Sequence, residues 1–252
     1  MRPPGAGASG RRPMTASTRQ MLWIAAGVVV VVALIAHHNI HSYELILFCV
    51  IVPSIILHEV SHGYVAQFFG DDTAARAGRL TLNPLKHIDP VGTLIVPALL
   101  SLTSFGVFGW AKPVPVNVAR LRKPRNQGVL VSLAGPLTNA ILAAIAAVIF
   151  TKVLHPVGQL SLLDQIFFYF GLVNVTLMVF NLIPIPPLDG SVLFERLLPA
   201  RYWPRYLRIR PYTMPIIMGL VLLNFYLNPG PLTWIFDHLD TWWANRLGVT
   251  YG

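Results

Sequence analysis

Residues 43–69 read YELILFCVIVPSIILHEVSHGYVAQFF, an apolar run with one strongly polar group in its second half. A helix that crosses about 30 Å of hydrocarbon needs roughly 20 mostly apolar residues, and this run is long enough. Ionisable side chains inside such a helix are costly in lipid and mark a functional site by default. The run therefore predicts a membrane-spanning helix that carries chemistry at His58, Glu59 and His62.

The composition of the whole chain also indicates a membrane protein. Of 252 residues, 54% are hydrophobic and 12% are charged, and the mean hydropathy is +0.60. This apolar content exceeds what the core of a soluble domain needs, so we predict the lipid bilayer as a partner. The formal charge of +9 would suit nucleic acid, but the basic residues lie in short stretches between apolar runs. Such stretches are typical of cytoplasmic loops, and we predict no nucleic-acid binding.

Several other apolar segments lie along the chain. They are residues 21–36, 91–108, 128–154, 163–182 and 212–227. The segment 91–108 is the weakest helix candidate because Gly92, Pro97 and Gly106 interrupt it. The pattern predicts an all-α polytopic membrane protein with five to six transmembrane helices.

The spacing of the two histidines predicts a metal site. His58 and His62 are four residues apart, so on a helix their imidazoles project from one face and can bind one zinc ion. Glu59 lies beside the first of them and can reach a water on the metal as general base.

A zinc ion in a hydrolase has three protein ligands and one open position, so a third ligand must come from elsewhere in the chain. Asp189 is the first candidate because it directly follows an apolar helix, at a level where its carboxylate can meet the histidine helix. Its local sequence, PPLDG, is also an ordinary turn sequence. Glu195 is the next choice.

Five stretches of sequence together resemble the site-2 protease family, the intramembrane zinc metalloproteases. They are HEVSHGY at 58–64, GRLTLNP at 78–84 running to Asp89 and Pro90, GWAKPVPVN at 109–117, AGPLTN at 134–139, and FNLIP at 180–184 running to Leu188, Asp189 and Gly190. An isolated H-E-x-x-H motif is a weak signal, but this order, with L-D-G after a late helix, is highly specific.

The resemblance implies roles for particular residues. It implies zinc ligands at His58, His62 and Asp189, a general base at Glu59, and a polar role for Asn139 near the substrate backbone or the developing oxyanion. On its own, Asn139 is equally well explained as a residue that bonds a neighbouring helix. The chain resembles the compact subgroup of the family, without a PDZ or CBS domain.

The function expected from this resemblance is zinc-dependent hydrolysis of peptide bonds in or near transmembrane segments. Single-pass membrane proteins with a locally destabilised helix are the expected substrates. An ion or proton transporter is one alternative, but it predicts repeated halves, and we find no internal repeat. A catalytically inactive relative that binds membrane clients is another, although neither Glu59 nor any expected ligand has been lost.

The distribution of basic residues predicts the orientation. If 91–108 crossed the membrane with the N-terminus inside, ten of the 19 basic residues would lie outside, against the positive-inside rule. If 91–108 re-enters and returns, 17 lie inside and 2 outside. We therefore predict five spanning helices, one re-entrant segment beside the zinc site, and an active site that opens toward the cytoplasm from a prokaryotic plasma membrane.

The same patterns predict three regions. Residues 1–20 are expected to be a disordered tail, residues 21–228 the intramembrane metalloprotease domain, and residues 229–252 an amphipathic tail at the membrane interface. The histidines 37, 38 and 41 are explained by a position at the interface rather than by metal binding. Asn174 and Asn181 are expected to form interhelical hydrogen bonds.

Overall fold

The computed structural model describes residues 42–89, 111–154, 156, 158–227, 230 and 232–249. They belong to the second of two compact units, which covers residues 40–252. The expected tail 1–20, the segments 21–36 and 91–108, and the histidines 37, 38 and 41 lie outside these described residues.

The described residues form helices and no strand, which confirms the all-α class. The α-helices are α1 (Ser42–Phe68), α2 (Thr73–Arg76), α3 (Pro124–Ile149), α4 (Leu162–Asn181), α5 (Gly190–Leu197), α6 (Trp203–Tyr226) and α7 (Thr233–Leu247). A π-helical turn, Phe150–Leu154, extends α3, and short 3-10 turns lie at Pro84–Lys86, Val118–Arg120 and Ala200–Tyr202.

Three described helices are long and apolar enough to cross a membrane. They cover Leu45–Phe68, Pro124–Leu154 and Leu162–Asn181, close to three of the predicted segments. The segment 212–227 falls in the second half of α6, which is not one of the three. The number of spans therefore stays a prediction.

Local sequence signals explain where the long helices begin. Pro124 occupies the first turn of α3, where its missing N–H costs nothing. At the start of α4, Ser161 and Asp164 form a capping box: Ser161 Oγ accepts from Asp164 N, and Asp164 Oδ2 accepts from Ser161 N. These signals fix the first turns of α3 and α4.

The core lies where α7 docks against α4. Trp243 is only 4% exposed and packs with Phe150 and Phe168, and its indole Nε1 donates to the Phe168 carbonyl at 3.0 Å. Gly171 makes this approach possible, since a Cβ there would lie 2.0 Å from Trp243 Cζ2. The predicted helical tail thus contributes a core residue, and its position at the membrane interface stays a prediction.

A buried carboxylate ties the end of α1 to the loop before α3. Asp71 has no exposed surface and accepts hydrogen bonds from the hydroxyl and N–H of Thr73 and from the N–H of Asn117. Burial by itself raises the pKa of Asp71, but these bonds and the nearby Arg120 charge outweigh it and hold the pKa below its usual value. The loop that follows residue 110 is therefore anchored at this end of α1.

Candidate metal centre

Helix α1 brings the two predicted histidines together. His58 and His62 are both buried, and their ring centroids are 4.8 Å apart in an edge-to-face arrangement. Their Nε2 atoms are 3.1 Å apart. The spacing of four residues therefore places both Nε2 atoms at one point on the helix face, as predicted.

Asp189 completes the group from the start of α5. Its Oδ2 lies 3.1 Å from His58 Nε2 and 3.3 Å from His62 Nε2. Ser132 Oγ on α3 donates to the Asp189 carbonyl at 2.6 Å, which holds the backbone of this residue in place. Within the described part of the chain, this is the only group of three His, Cys, Asp or Glu residues whose ligand atoms meet, all within 4.8 Å of one another.

Both imidazoles are held in orientation by a hydrogen bond at Nδ1, on the side of the ring away from Asp189. His62 Nδ1 donates to the Val131 carbonyl at 2.6 Å, because a carbonyl oxygen can only accept. His58 Nδ1 lies 2.5 Å from Asn139 Oδ1. With both Nδ1 atoms as donors, the lone pair of each Nε2 is available on the side of Asp189.

The space beside these atoms fits a zinc ion. Two imidazole nitrogens and one carboxylate are a donor set that catalytic zinc sites use. Gly135 on α3 faces both rings, and a Cβ there would lie 2.4 Å from His62 Nε2 and 2.5 Å from His58 Nε2. The missing side chain thus leaves room next to both nitrogens, close to the bond length of about 2.0–2.1 Å that zinc makes with histidine.

Glu59 is positioned by the segment that follows residue 110. Its Oε2 accepts the N–H of Val114 at 2.9 Å. Arg79, which is 7% exposed, donates from Nη2 to the Lys112 carbonyl at 2.7 Å, and its charge acts on Glu59. Glu59 is not one of the three residues whose ligand atoms meet, so its carboxylate can serve in a role other than metal binding.

Two other residues singled out from the sequence, Asn139 and Glu195, are not members of this trio, although Asn139 touches His58. Asn139 has no exposed surface, and its Nδ2 donates to Asn174 Oδ1 at 2.7 Å. The predicted contact of Asn139 with substrate stays a prediction. Glu195, the alternative third ligand, instead accepts from the Tyr206 hydroxyl at 2.6 Å. Asn174 forms the expected interhelical bond, whereas the bond of Asn181 goes to Leu177 on its own helix.

Gly135 lies against both imidazoles, and it was not among the residues predicted from the sequence. It lies in the AGPLTN motif, but nothing in a single sequence tells a glycine that makes room for a ligand from one that allows two helices to approach. The contact of the Val114 N–H with Glu59 could not be predicted either, because a backbone N–H is present in every residue except proline.

We expect Gly135→Ala to abolish zinc binding, because the added methyl group would collide with the Nε2 atoms of both histidines. Gly128→Ala on the same helix is the matched control, since its Cβ would meet only Val118 Cγ1, at an ordinary 3.5 Å. Zinc is measured per protein chain after purification in detergent. Wild-type zinc content in the Gly135 variant would show that the space beside the rings is not needed.

Comparison with known proteins identifies a family and several relatives. A model of peptidase family M50 matches residues 153–224, which contain Asp189 but not His58 or His62. A candidate zinc metalloprotease of Bacillus subtilis (strain 168), YwhC, is 46% identical over 155 residues, which is 59% of this chain and 67% of the relative. No solved structure gives a significant match.

Two mycobacterial relatives cover more of the chain. The candidate zinc metalloprotease Rip2 of Mycolicibacterium smegmatis is 32% identical over 207 residues, 78% of this chain and 72% of the relative. Rip2 of Mycobacterium tuberculosis (strain Erdman) is 31% identical over 194 residues, 73% and 70% of the two chains. The resemblance found in the motifs is thus confirmed, and the chain belongs to peptidase family M50, the site-2 protease family.

Proposed function

We propose that His58, His62 and Asp189 hold the zinc ion of this intramembrane metalloprotease and that Glu59 is its general base. The observation that carries the proposal is the convergence of their ligand atoms, with Asp189 Oδ2 at 3.1 and 3.3 Å from the two Nε2 atoms. The histidines lie inside a helix long and apolar enough to span a membrane. Ionisable groups buried in a membrane are energetically unfavourable, so their presence there indicates a function.

The residues of the site divide the chemistry of peptide hydrolysis between them. When bound, zinc polarises the scissile carbonyl and lowers the pKa of a bound water toward about 7. A Glu59 carboxylate oxygen takes the proton of the attacking water and later returns it to the leaving amine nitrogen. The N–H of Val114 holds Glu59 Oε2 at 2.9 Å, which fixes the orientation of the base during both transfers.

The substrates we propose are single-pass membrane proteins within the lipid bilayer. A fully hydrogen-bonded transmembrane helix hides its carbonyl groups, so a substrate must expose its backbone locally before hydrolysis. Substrate helices that contain helix-breaking residues should therefore be cleaved faster than uniformly helical ones. In the same proposal, residues 21–228 form the peptidase domain, residues 1–20 are a disordered tail and residues 229–252 lie at the membrane interface.

A cleavage assay tests this function directly. The protein is purified in detergent, its zinc is counted, and a panel of single-pass helices with and without a central Pro or Gly is incubated with it. We expect one zinc per chain, cleavage that stops with a chelator, and recovery on zinc addition. A protein that holds no zinc, or that cleaves equally well after chelation, would contradict the proposal.

We also propose that the site opens toward the cytoplasm of a prokaryotic cell across its plasma membrane. The contacts of the described residues support a segment 91–108 that enters and returns: the N–H of Lys112 donates to the His87 carbonyl at 2.8 Å, and that of Arg122 to the Phe69 carbonyl at 3.1 Å. The two flanks of that segment therefore meet each other, and the chain that follows reaches the end of α1 at Phe69. A second basic loop covers residues 196–210. Its Arg196 reaches Asn126 Oδ1 at 3.3 Å, so this loop lies at the same end.

Cysteine labelling tests this orientation. Cys49, the single cysteine of the sequence, is first replaced by serine. In this background Ala119→Cys, at an exposed position in the first basic loop (residues 112–125), should resist a membrane-impermeant thiol reagent in intact cells and react after lysis. Gln159→Cys, exposed in the connection between α3 and α4, is the control and should react in intact cells. The reverse pattern would overturn the orientation but not the zinc site.

A further inference from the structure

A chain of hydrogen bonds leads from His58 away from the metal site and through three helices. His58 Nδ1 meets Asn139 Oδ1 on α3 at 2.5 Å, and Asn139 Nδ2 donates to Asn174 Oδ1 on α4 at 2.7 Å. Asn174 Nδ2 donates to Ser54 Oγ at 2.9 Å, and Ser54 Oγ donates to the Val50 carbonyl at 2.7 Å, both on α1. We call Asn139, Asn174 and Ser54 the relay.

The hydrogen bonds of the relay can be donated in only one direction, and the Val50 carbonyl at the end far from His58 determines that direction. The Val50 carbonyl can only accept, so the Ser54 hydroxyl donates to it and its oxygen accepts from Asn174. The amide of Asn174 is further fixed because its Nδ2 also donates to the Phe170 carbonyl at 2.8 Å. Asn174 therefore presents Oδ1 to Asn139, and Asn139 presents its own Oδ1 to His58. Since that oxygen only accepts, His58 Nδ1 carries the proton.

All three relay side chains are completely buried. Ser54, Asn139 and Asn174 have an exposed fraction of 0%. An amide or hydroxyl buried without a partner costs about 1–3 kcal/mol, so each member holds the orientation of the next one. Their complete burial keeps bulk solvent from supplying an alternative partner, and the relay can reverse only if several bonds break together.

We propose that Asn139 is a positioning residue that fixes the tautomer and ring orientation of His58, and that Asn174 and Ser54 hold Asn139 in place. This inference rests on the proposed zinc site, because its consequence is that His58 Nε2 keeps a lone pair aimed at the metal. It takes the place of the expected contact with the oxyanion, because the Asn139 side chain is completely buried and one of the two N–H groups of Nδ2 already donates to Asn174. His62 obtains the same tautomer more simply, from the Val131 carbonyl.

The strength of zinc binding should therefore respond to substitutions along the relay. Asn139→Leu leaves His58 Nδ1 without an acceptor, and we expect a loss in zinc affinity of about 10- to 100-fold, the usual effect of removing such a partner. Asn139→Asp keeps an acceptor oxygen for His58 Nδ1 but loses the N–H that bonds Asn174, so the loss in zinc affinity should be smaller, below about 10-fold. Asn174→Leu and Ser54→Ala, which do not touch His58, should reduce the affinity in the same direction but less.

The experiment measures zinc affinity by chelator competition in detergent, the visible spectrum of the cobalt-substituted protein, and the melting temperature of the metal-free protein. Thr151→Val is the matched control for Ser54→Ala, because Thr151 Oγ1 also donates to the carbonyl four residues before it, that of Ala147, at 2.8 Å. It has no connection to His58, so zinc affinity and the cobalt spectrum should not change. A purely structural effect would lower the melting temperature alone.

The outcomes separate the two proposals. If His58→Ala loses zinc while Asn139→Leu and Asn174→Leu bind it as the wild type does, the relay is wrong and the zinc site stands. If His58→Ala keeps its zinc, the site itself is wrong. If Asn139→Asp loses hydrolysis at unchanged zinc affinity, Asn139 acts on substrate and the positioning role is rejected. Should Asn139→Leu fail to fold, unchanged affinity in both Ser54→Ala and Asn174→Leu rejects the relay.

Discussion

Replacing Glu59 by glutamine should abolish hydrolysis while zinc remains bound. The amide has almost the same shape as the carboxylate and keeps an oxygen that can accept the N–H of Val114, now at 2.9 Å from Oε2. It cannot take up a proton at neutral pH, however, so the attacking water is no longer activated. General acid–base catalysis contributes about 10²- to 10⁴-fold to a rate, and we expect a loss of at least this size.

The measurement compares the cleavage rate of one single-pass substrate with the zinc content of the same preparation. Glu195→Gln is the control, because Glu195 bonds Tyr206 at 2.6 Å and has no contact with the histidines. This control should keep both cleavage and zinc. Full activity in Glu59→Gln would reject Glu59 as the base, and loss of zinc in that variant would mean that Glu59 is a ligand instead.

The part of the site that sequence reasoning predicted best is the local part. The positions of His58 and His62 follow from helix geometry, because any helix places residues four apart on one face. An apolar run of the right length predicts that helix independently of the rest of the fold. The three long apolar helices were predictable for the same reason, and their observed ends lie within a few residues of the predicted ones.

The third ligand was not predictable from spacing alone. Asp189 lies 131 residues from His58 in the sequence, and only the packing of α3 between α1 and α5 brings the two together. Both Asp189 and Glu195 follow the same apolar helix, so sequence position does not separate them. The resemblance to a family did separate them, because the L-D-G motif of that family corresponds to Asp189 and not to Glu195.

The surroundings of Asn139 were not predictable either. Periodicity indicates that a residue is on a helix, but not which neighbouring helix its side chain meets. An asparagine that contacts substrate and one that bonds Asn174 have the same sequence signature. Its complete burial and its two bonds are properties of three packed helices, and the relay is visible only once α1, α3 and α4 are assembled.

Loss of a metal ligand is the other large effect that we expect. His62→Ala or Asp189→Ala removes one of three protein ligands, which opens the tetrahedral site and abolishes hydrolysis. The fall in zinc affinity should exceed the roughly 10- to 100-fold change that loss of a supporting residue causes. Added zinc should restore little activity, because the Asp189 variant lacks a carboxylate where Oδ2 now lies 3.1 Å from His58 Nε2.

Matched controls for both substitutions lie on α7. His238→Ala and Asp237→Ala change the same residue types at exposed positions, and the ring of His238 bonds the carbonyl and packs on the indole of Trp234 on its own helix. Both should keep wild-type zinc and activity. Zinc content separates the two candidate third ligands. If Asp189→Ala retains one zinc and Glu195→Gln loses it, the carboxylate ligand is Glu195, and the contact of Asp189 with the histidines does not serve metal binding.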